Sequence, residues 1–196
     1  MKLPARNILG LVSIVLALVV TVVALAASAD EHAYVGSKEC RKCHIKEYRS
    51  WQETKMATAF EGLKPGERAE AKKEAGLDPN KDYTTDPACV KCHVTGYGKA
   101  GGFTSIEETP DLAGVGCEMC HGPGGTYLQD GYMTLRNKEY KLAELEAVGL
   151  IAVPTAATCE VCHNEESPFV GEGFVFDFEE QKSKGTHEIF PLKYEH

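Results

Sequence analysis

Cysteine is absent from this chain outside one recurring arrangement. All eight cysteines fall in four C-x-x-C-H segments, Cys40 to His44, Cys89 to His93, Cys117 to His121 and Cys159 to His163. No thiol remains for a disulfide framework or a lone nucleophile. Positive charge is also in short supply: 21 Lys and Arg stand against 29 Asp and Glu. Loss of residues 1–29, which carry Lys2, Arg6 and no acid, would deepen the net charge of −8 to about −10. That balance argues against nucleic acid and suits basic docking partners, or simply a soluble surface. Histidine is scarce as well, 7 among 196 residues, so chance would place one after all four cysteine pairs about once in 600,000.

What is there is the signature of covalent c-type haem. A haem carries vinyl groups on two neighbouring pyrroles, and thiols three apart on a helical turn can form a thioether with each. The following imidazole then lies beneath the iron as proximal ligand. C-x-x-C pairs also build zinc sites, but zinc gives no reason for histidine at that fixed place. The cofactor expectation is therefore four covalently bound c-type haems with iron. They are held by Cys40, Cys43, Cys89, Cys92, Cys117, Cys120, Cys159 and Cys162, with His44, His93, His121 and His163 on the metal.

The N-terminus joins a basic start to an uncharged apolar run, residues 8–27, and an Ala27-Ser28-Ala29 site. It reads as a signal peptide over 1–29. The run exceeds the usual length of about 7–15 residues and approaches the 20 or so that span a bilayer, so an uncleaved anchor over 8–27 is the alternative. Either way the tetrahaem domain, 30–196, is expected in the periplasm or at the cell exterior, with membrane attachment only if the segment stays. Some 167 residues around four haems leave about 42 for each, so porphyrins are expected to supply most of the core. The fold expectation is mainly α, with long loops wrapped around closely packed haems and little strand.

Local signals fill in the chain. Ser37 to Leu63 reads as an attachment site running into one helix, with Ile45, Tyr48, Trp51, Met56 and Phe60 at three-to-four spacing. Glu67 to Ala75 reads as a helix stopped by Gly76, and Asp86 with Pro87 as the start of the helix bearing the second site. Gly96 to Gly102 is a loop or hairpin that brings Tyr97 and Phe103 toward a porphyrin. Asn137 to Ala147 reads as a helix closed by Gly149, Thr155 as the cap of the fourth site's helix, and Asp177 to Lys184 as a last helix stopped by Gly185.

The histidines and methionines left over decide the chemistry, because a haem with two strong ligands passes electrons while one with an open face can bind a small molecule. Met56 lies about 18 Å along a continuous helix from His44, so it cannot serve that haem. It is either a ligand of another haem or an ordinary apolar contact. Met133 and His187 each admit a ligand role or a surface role. Met119, between its own cysteines, is no ligand, and His32 and His196 lie near chain ends where order is poor.

Further residues give the chain a family resemblance. Ser50-Trp51 through Leu63-Lys64-Pro65, Leu77-Asp78-Pro79 with Lys81-Asp82-Tyr83, Cys92-His93-Val94, Gly114 to Cys117 running into His121-Gly122-Pro123-Gly124, and Phe176 to His187 occur in the order found in the tetrahaem cytochrome c-554 family, which the sequence resembles. The resemblance implies a helical fold, closely packed haems and electron transfer outside the cytoplasm. It also implies distal ligands from the helix after the first motif, the loop after the third and the C-terminal helix. Those positions are Met56, Met133 approximately, and His187, and the family has histidine at the first two. The implied assignment gives His187 to the first haem, Met56 to the third and Met133 to the fourth. The second haem is left without an evident distal ligand unless His32 or a neighbouring subunit supplies one.

The functional expectation is an exported tetrahaem cytochrome carrying electrons between redox proteins. The alternatives are a haem enzyme acting on a small nitrogen compound such as nitric oxide at the open second haem, and a subunit of a haem filament or membrane complex.

Overall fold

The structure, a computed structural model, describes residues 32–129, 131–170 and 175–192. The signal or anchor segment and His196 lie outside them. The described chain is mainly helical: short helices joined by turns and loops, with one isolated antiparallel bridge, Val94 to Ala113. None of the described helices is long and apolar enough to cross a membrane.

Helix α1, Ser37–Arg41, carries Cys40, and its turn continues to His44, whose N–H donates to Cys40 O at 2.9 Å. Helix α2, Ile45–Gln52, follows directly. The single helix expected from Ser37 to Leu63 does not form. Thr54 Oγ1 donates to Trp51 O at 2.7 Å and accepts from Ala57 N–H at 3.3 Å. Its hydroxyl thus takes over backbone groups that another helical turn would use. Met56 stands in the resulting turns, ahead of a 3-10 segment, Phe60–Leu63.

Helix α3, Ala69–Glu74, is shorter than expected and enters through Arg68, a left-handed non-glycine residue at φ 48°. Helix α4, Pro87–His93, contains the whole second motif and starts as anticipated: the Asp86 side chain accepts from Ala88 N–H and Pro87 opens the first turn. It ends where Val94 turns extended to bridge Ala113. A second 3-10 turn, Pro110–Leu112, precedes α5, Cys117–His121, which is the third motif. Helix α6, Leu142–Glu146, covers about half of the stretch expected to be helical and anchors it by Leu145, 1% exposed. Helix α7, Ala156–Glu160, carries Cys159, and His163 N–H returns to Cys159 O at 2.9 Å. Ahead of it Thr155 N–H donates to Thr158 Oγ1. Helix α8, Phe178–Gln181, is capped by the Asp177 carboxylate accepting from Glu180 N–H.

Protein side chains do build one core of their own. Phe60, Leu63, Tyr83, Val90, Val94, Phe103 and Leu112 pack together beside the second motif. Phe103 sits inside this cluster, its ring centroid 5.5 Å from that of Phe60. At 4% exposure it has no face left to offer a porphyrin, contrary to expectation. Around the fourth motif the pattern reverses, with Val153, Val161, Phe169 and Val175 all exposed. Apolar side chains there suit the flank of a large apolar cofactor.

Candidate haem centre

The third motif is the junction of the molecule. Helix α5 packs against α1 on one side and α7 on the other. Its entry is welded to the first two motifs by buried polar groups. Cys117 N–H donates to Ser37 Oγ at 3.1 Å, ahead of the first motif. Thr95 Oγ1, just past the second, accepts from Gly116 N–H at 2.9 Å and donates to Gly114 O at 2.8 Å. Inside the motif, the Glu118 carboxylate is 1% exposed. It accepts from Val35 N–H at 2.9 Å and from Gly36 and Gly124 N–H at 2.7 Å each. One acidic side chain thereby ties the chain before the first motif to the loop after the third. Backbone donors of this kind are what a buried carboxylate needs.

The cysteines mark where the sites meet. The thiols of Cys40 and Cys117 hydrogen-bond, raising the pKa of the first and holding the second down at about 6. Cys92 and Cys162 hydrogen-bond likewise, while burial first and Cys92 next push Cys162 up to about 12. Cys120 lies within electrostatic reach of both Cys159 and Cys162. Joined to haem, these sulfurs would be thioethers with no proton to lose, and what would survive is their proximity. The sites connect in the order first, third, fourth, second.

The imidazoles are prepared for a metal. His93 Nδ1 lies 2.7 Å from Ala59 O, His121 Nδ1 2.9 Å from Ile151 O and His187 Nδ1 2.7 Å from Glu188 O. A carbonyl only accepts, so each Nδ1 carries the proton and each Nε2 keeps its lone pair for iron, the usual outer-shell device of metal-binding histidines. Burial is the first cause lowering the pKa of His93, His121 and His163, which favours the neutral, ligating form. His44 stands within electrostatic reach of His121. His163 stacks on Phe176 at 4.6 Å between centroids.

The residues therefore fit haem. All eight cysteines are free, each pair shares a helical turn with its histidine, and no disulfide competes among the described residues. Nor, among those residues, do three or more His, Cys, Asp or Glu gather as a zinc tetrahedron would require.

The other candidates fall in distinct places. Met56, half-buried, accepts from Val115 N–H at 2.9 Å through its carbonyl, and Trp51 Nε1 donates to Val115 O at 2.9 Å. The segment bearing Met56 thus runs along the strand-like entry to Cys117. Met133, also half-buried, is held by its N–H to Tyr127 O at 2.9 Å, in the loop after the third motif. His187 is drawn to α2 by Glu188 N–H on Ser50 Oγ at 2.8 Å and by Lys46 Nζ over the Phe190 ring, and its ring centroid is 6.1 Å from that of His121. Met119 uses its sulfur to accept from Gly96 N–H. His32 sits beside Thr126, its Nδ1 3.3 Å from Thr126 Oγ1, and beside Gly149. Its described partners belong to the third motif's surroundings. Sequence reasoning missed Glu118, Ser37, Thr95 and the carbonyls of Ala59 and Ile151.

Four such sites, linked neighbour to neighbour on a helical, loop-rich chain, define a multihaem c-type cytochrome. Comparison narrows the class. A family profile described as "Cytochrome c554 and c-prime" matches residues 39–122. The chain is 47% identical over 121 residues to cytochrome c-554 of Nitrosomonas europaea, a match covering 62% of this chain and about half (50%) of that relative. It also superposes on a solved structure of the reduced state of cytochrome c554 from the same organism with a TM-score of 0.73 at 35% identity, covering 84% of this chain and 90% of that one. The chain belongs to the cytochrome c554 family, and its cofactor is haem c with iron.

Proposed function

We propose that this protein carries electrons between redox proteins outside the cytoplasmic membrane, through four haems bound in the order first, third, fourth, second. The observation that carries the reading is a chain of neighbours: the Cys40 and Cys117 thiols pair, the third motif's helix packs on the fourth's, and Cys162 pairs with Cys92. When bound, the haems supply reversible one-electron exchange between ferric and ferrous iron.

The chain's residues do the rest. Two cysteines of each motif would fix one porphyrin, and His44, His93, His121 and His163 would each hold one iron. His187 serves the first haem, Met56 the third and Met133 the fourth. Support for His187 is its segment's attachment to α2, directly behind His44. Support for Met56 is its backbone bond to Val115, two residues before Cys117. The distance of 6.1 Å from His187 to His121 also admits His187 as the third haem's partner, in which case Met56 holds no iron. Nothing among the bonds of His32 directs it to the second haem, so His93 is its sole protein ligand in this reading. The acidic balance, 29 against 21, recommends basic partners, which such a surface steers over about a Debye length.

Two measurements test this. Stopped-flow mixing of the reduced protein with a basic monohaem cytochrome c should give rapid oxidation whose rate falls as salt rises. A rate that is negligible, or that rises with salt, sinks the partner reading. Integrated EPR of the oxidised protein should assign one haem in four to high-spin ferric iron, and four low-spin haems would show that the second has a distal ligand after all.

A further inference from the structure

From the setting of Glu118 we infer that this side chain tunes the third haem: its buried negative charge stabilises the ferric state and holds that haem's reduction potential down. The inference rests on haem attachment at Cys117 and Cys120. It is independent of which residues supply the distal ligands.

Glu118 follows Cys117 directly, between the two cysteines of the third motif on α5. It is 1% exposed against the polypeptide alone, and a porphyrin attached at its neighbour can only enclose it further. The fold builds a niche around the carboxylate. One oxygen, Oε1, accepts from Val35 N–H at 2.9 Å and Gly124 N–H at 2.7 Å, and Oε2 accepts from Gly36 N–H at 2.7 Å. Two of these donors are glycines where a side chain would interfere. Gly36 stands at φ 88°, and a Cβ on Gly124 would lie 3.2 Å from Oε1 and 3.0 Å from Val35 Cγ2. Three donors on two oxygens match a group that only accepts. The described hydrogen-bond partners are all neutral backbone N–H groups, so no cation bonded to the carboxylate cancels its charge.

Reduction adds an electron at the iron, and a fixed negative charge nearby opposes it. A unit charge on the order of 10 Å from an iron, at an effective dielectric of about 20, changes the ferric-to-ferrous ratio at fixed potential by about tenfold. For one electron that is about 59 mV. The N–H dipoles around Glu118 offset part of the field, but they remain when glutamine takes its place. The two proteins therefore differ by one whole charge.

The sign of the shift separates tuning from support. Loss of the charge raises the third haem's potential. Loss of the bonds alone loosens the junction and admits water, which stabilises the extra positive charge of ferric iron and lowers the potential.

The test is a redox titration of the full-length four-haem protein followed by NMR, with haem content checked by pyridine haemochrome. NOE contacts from its thioether bridges to the Cys117 and Cys120 protons identify the third haem. Glu118→Gln should raise that haem's midpoint by about 59 mV, the tenfold change above, and move the other three less. Glu118→Asp keeps the charge on a shorter stem and should leave the midpoint at or below the wild-type value. Thr95→Val removes the bonds to Gly116 N–H and Gly114 O, loosening the same junction without touching a charge, and should do likewise. An unmoved or lowered third midpoint in Glu118→Gln overturns the tuning. A rise in Glu118→Asp or Thr95→Val also overturns it, because lost bonds would then be the cause. That arm decides even where Glu118→Gln fails to take up four haems. If wild type shows no thioether contact to Cys117, the attachment reading fails and the tuning with it; with those contacts present, an unmoved midpoint defeats the tuning alone.

Discussion

Glu118→Gln is the sharpest test of how the haem sites are held together. The carboxylate is 1% exposed and receives Val35 and Gly124 N–H on Oε1 and Gly36 N–H on Oε2. Gly36 can present its N–H there because it adopts φ 88°, which side-chain-bearing residues avoid. Glutamine keeps the shape and replaces one oxygen with an NH2 group. Whichever way the amide turns, at least one buried backbone N–H meets a donor instead of an acceptor. A hydrogen bond to a charged group contributes about 1.5–3 kcal/mol, and an unsatisfied buried donor costs about 1–3 kcal/mol. The two terms describe the same lost bond, so their overlap puts the loss at about 1.5–3 kcal/mol. The assay is guanidinium unfolding followed by far-UV CD, with the haem Soret band as a second probe. The midpoint should fall at unchanged slope, and amide exchange should quicken at Val35, Gly36 and Gly124 ahead of the rest. A loss below about 0.5 kcal/mol, with protection at those amides intact, would refute the claim that Glu118 clamps the first motif's approach to the third.

Three further expectations follow from single contacts. Gly122 sits at φ 77°, and a Cβ there would lie 2.2 Å from Gly149 O, so Gly122→Ala should cost more than about 2 kcal/mol; thermal unfolding checks it, and a near-neutral result would mean the third and fourth sites are not packed this closely. Trp51→Phe removes the Nε1 bond to Val115 O and should cost about 1–2 kcal/mol in the same assay. Tyr127 donates its hydroxyl to Gly122 O at 2.9 Å, and burial, its largest cause, raises the phenol above its ordinary value of 10.0. The unfolded phenol therefore ionises first: stability is intact below about pH 10 and declines above it by up to about 1.4 kcal/mol per pH unit. Denaturation midpoints from pH 8 to 11 should fall less steeply in Tyr127→Phe than in wild type, and parallel slopes would discount the buried phenol.

How much was legible in the sequence follows from the range of the forces involved. Covalent attachment demands two thiols and an imidazole within one helical turn, so the four haem sites are written locally and the helical class follows from them. Local chemistry also announced the Asp86 cap and the glycine at position 76, which takes φ 70° where α3 stops. Errors arose where a residue's partner is distant. Apolar spacing from Ile45 to Phe60 predicted one helix, but Thr54 had a local alternative, and the Trp51 and Val115 pairing, 64 residues apart, held the broken form in place. The periodicity was real, but it recorded residues facing the third motif and the Phe60 core rather than one uninterrupted axis. Glu118 was hidden for the same reason, since its donors at Val35 and Gly36 are 83 and 82 positions away. The acceptors that fix the histidine tautomers are the backbone carbonyls of Ala59 and Ile151, and a carbonyl leaves no mark in residue identity. Motif spacing therefore tells where haem binds, whereas the order of the haems and the second ligand of each depend on long-range contacts. That is why the role of Met56 must be settled by spectroscopy on its variants: its identity is local, but whether it meets an iron depends on the segment it lies against.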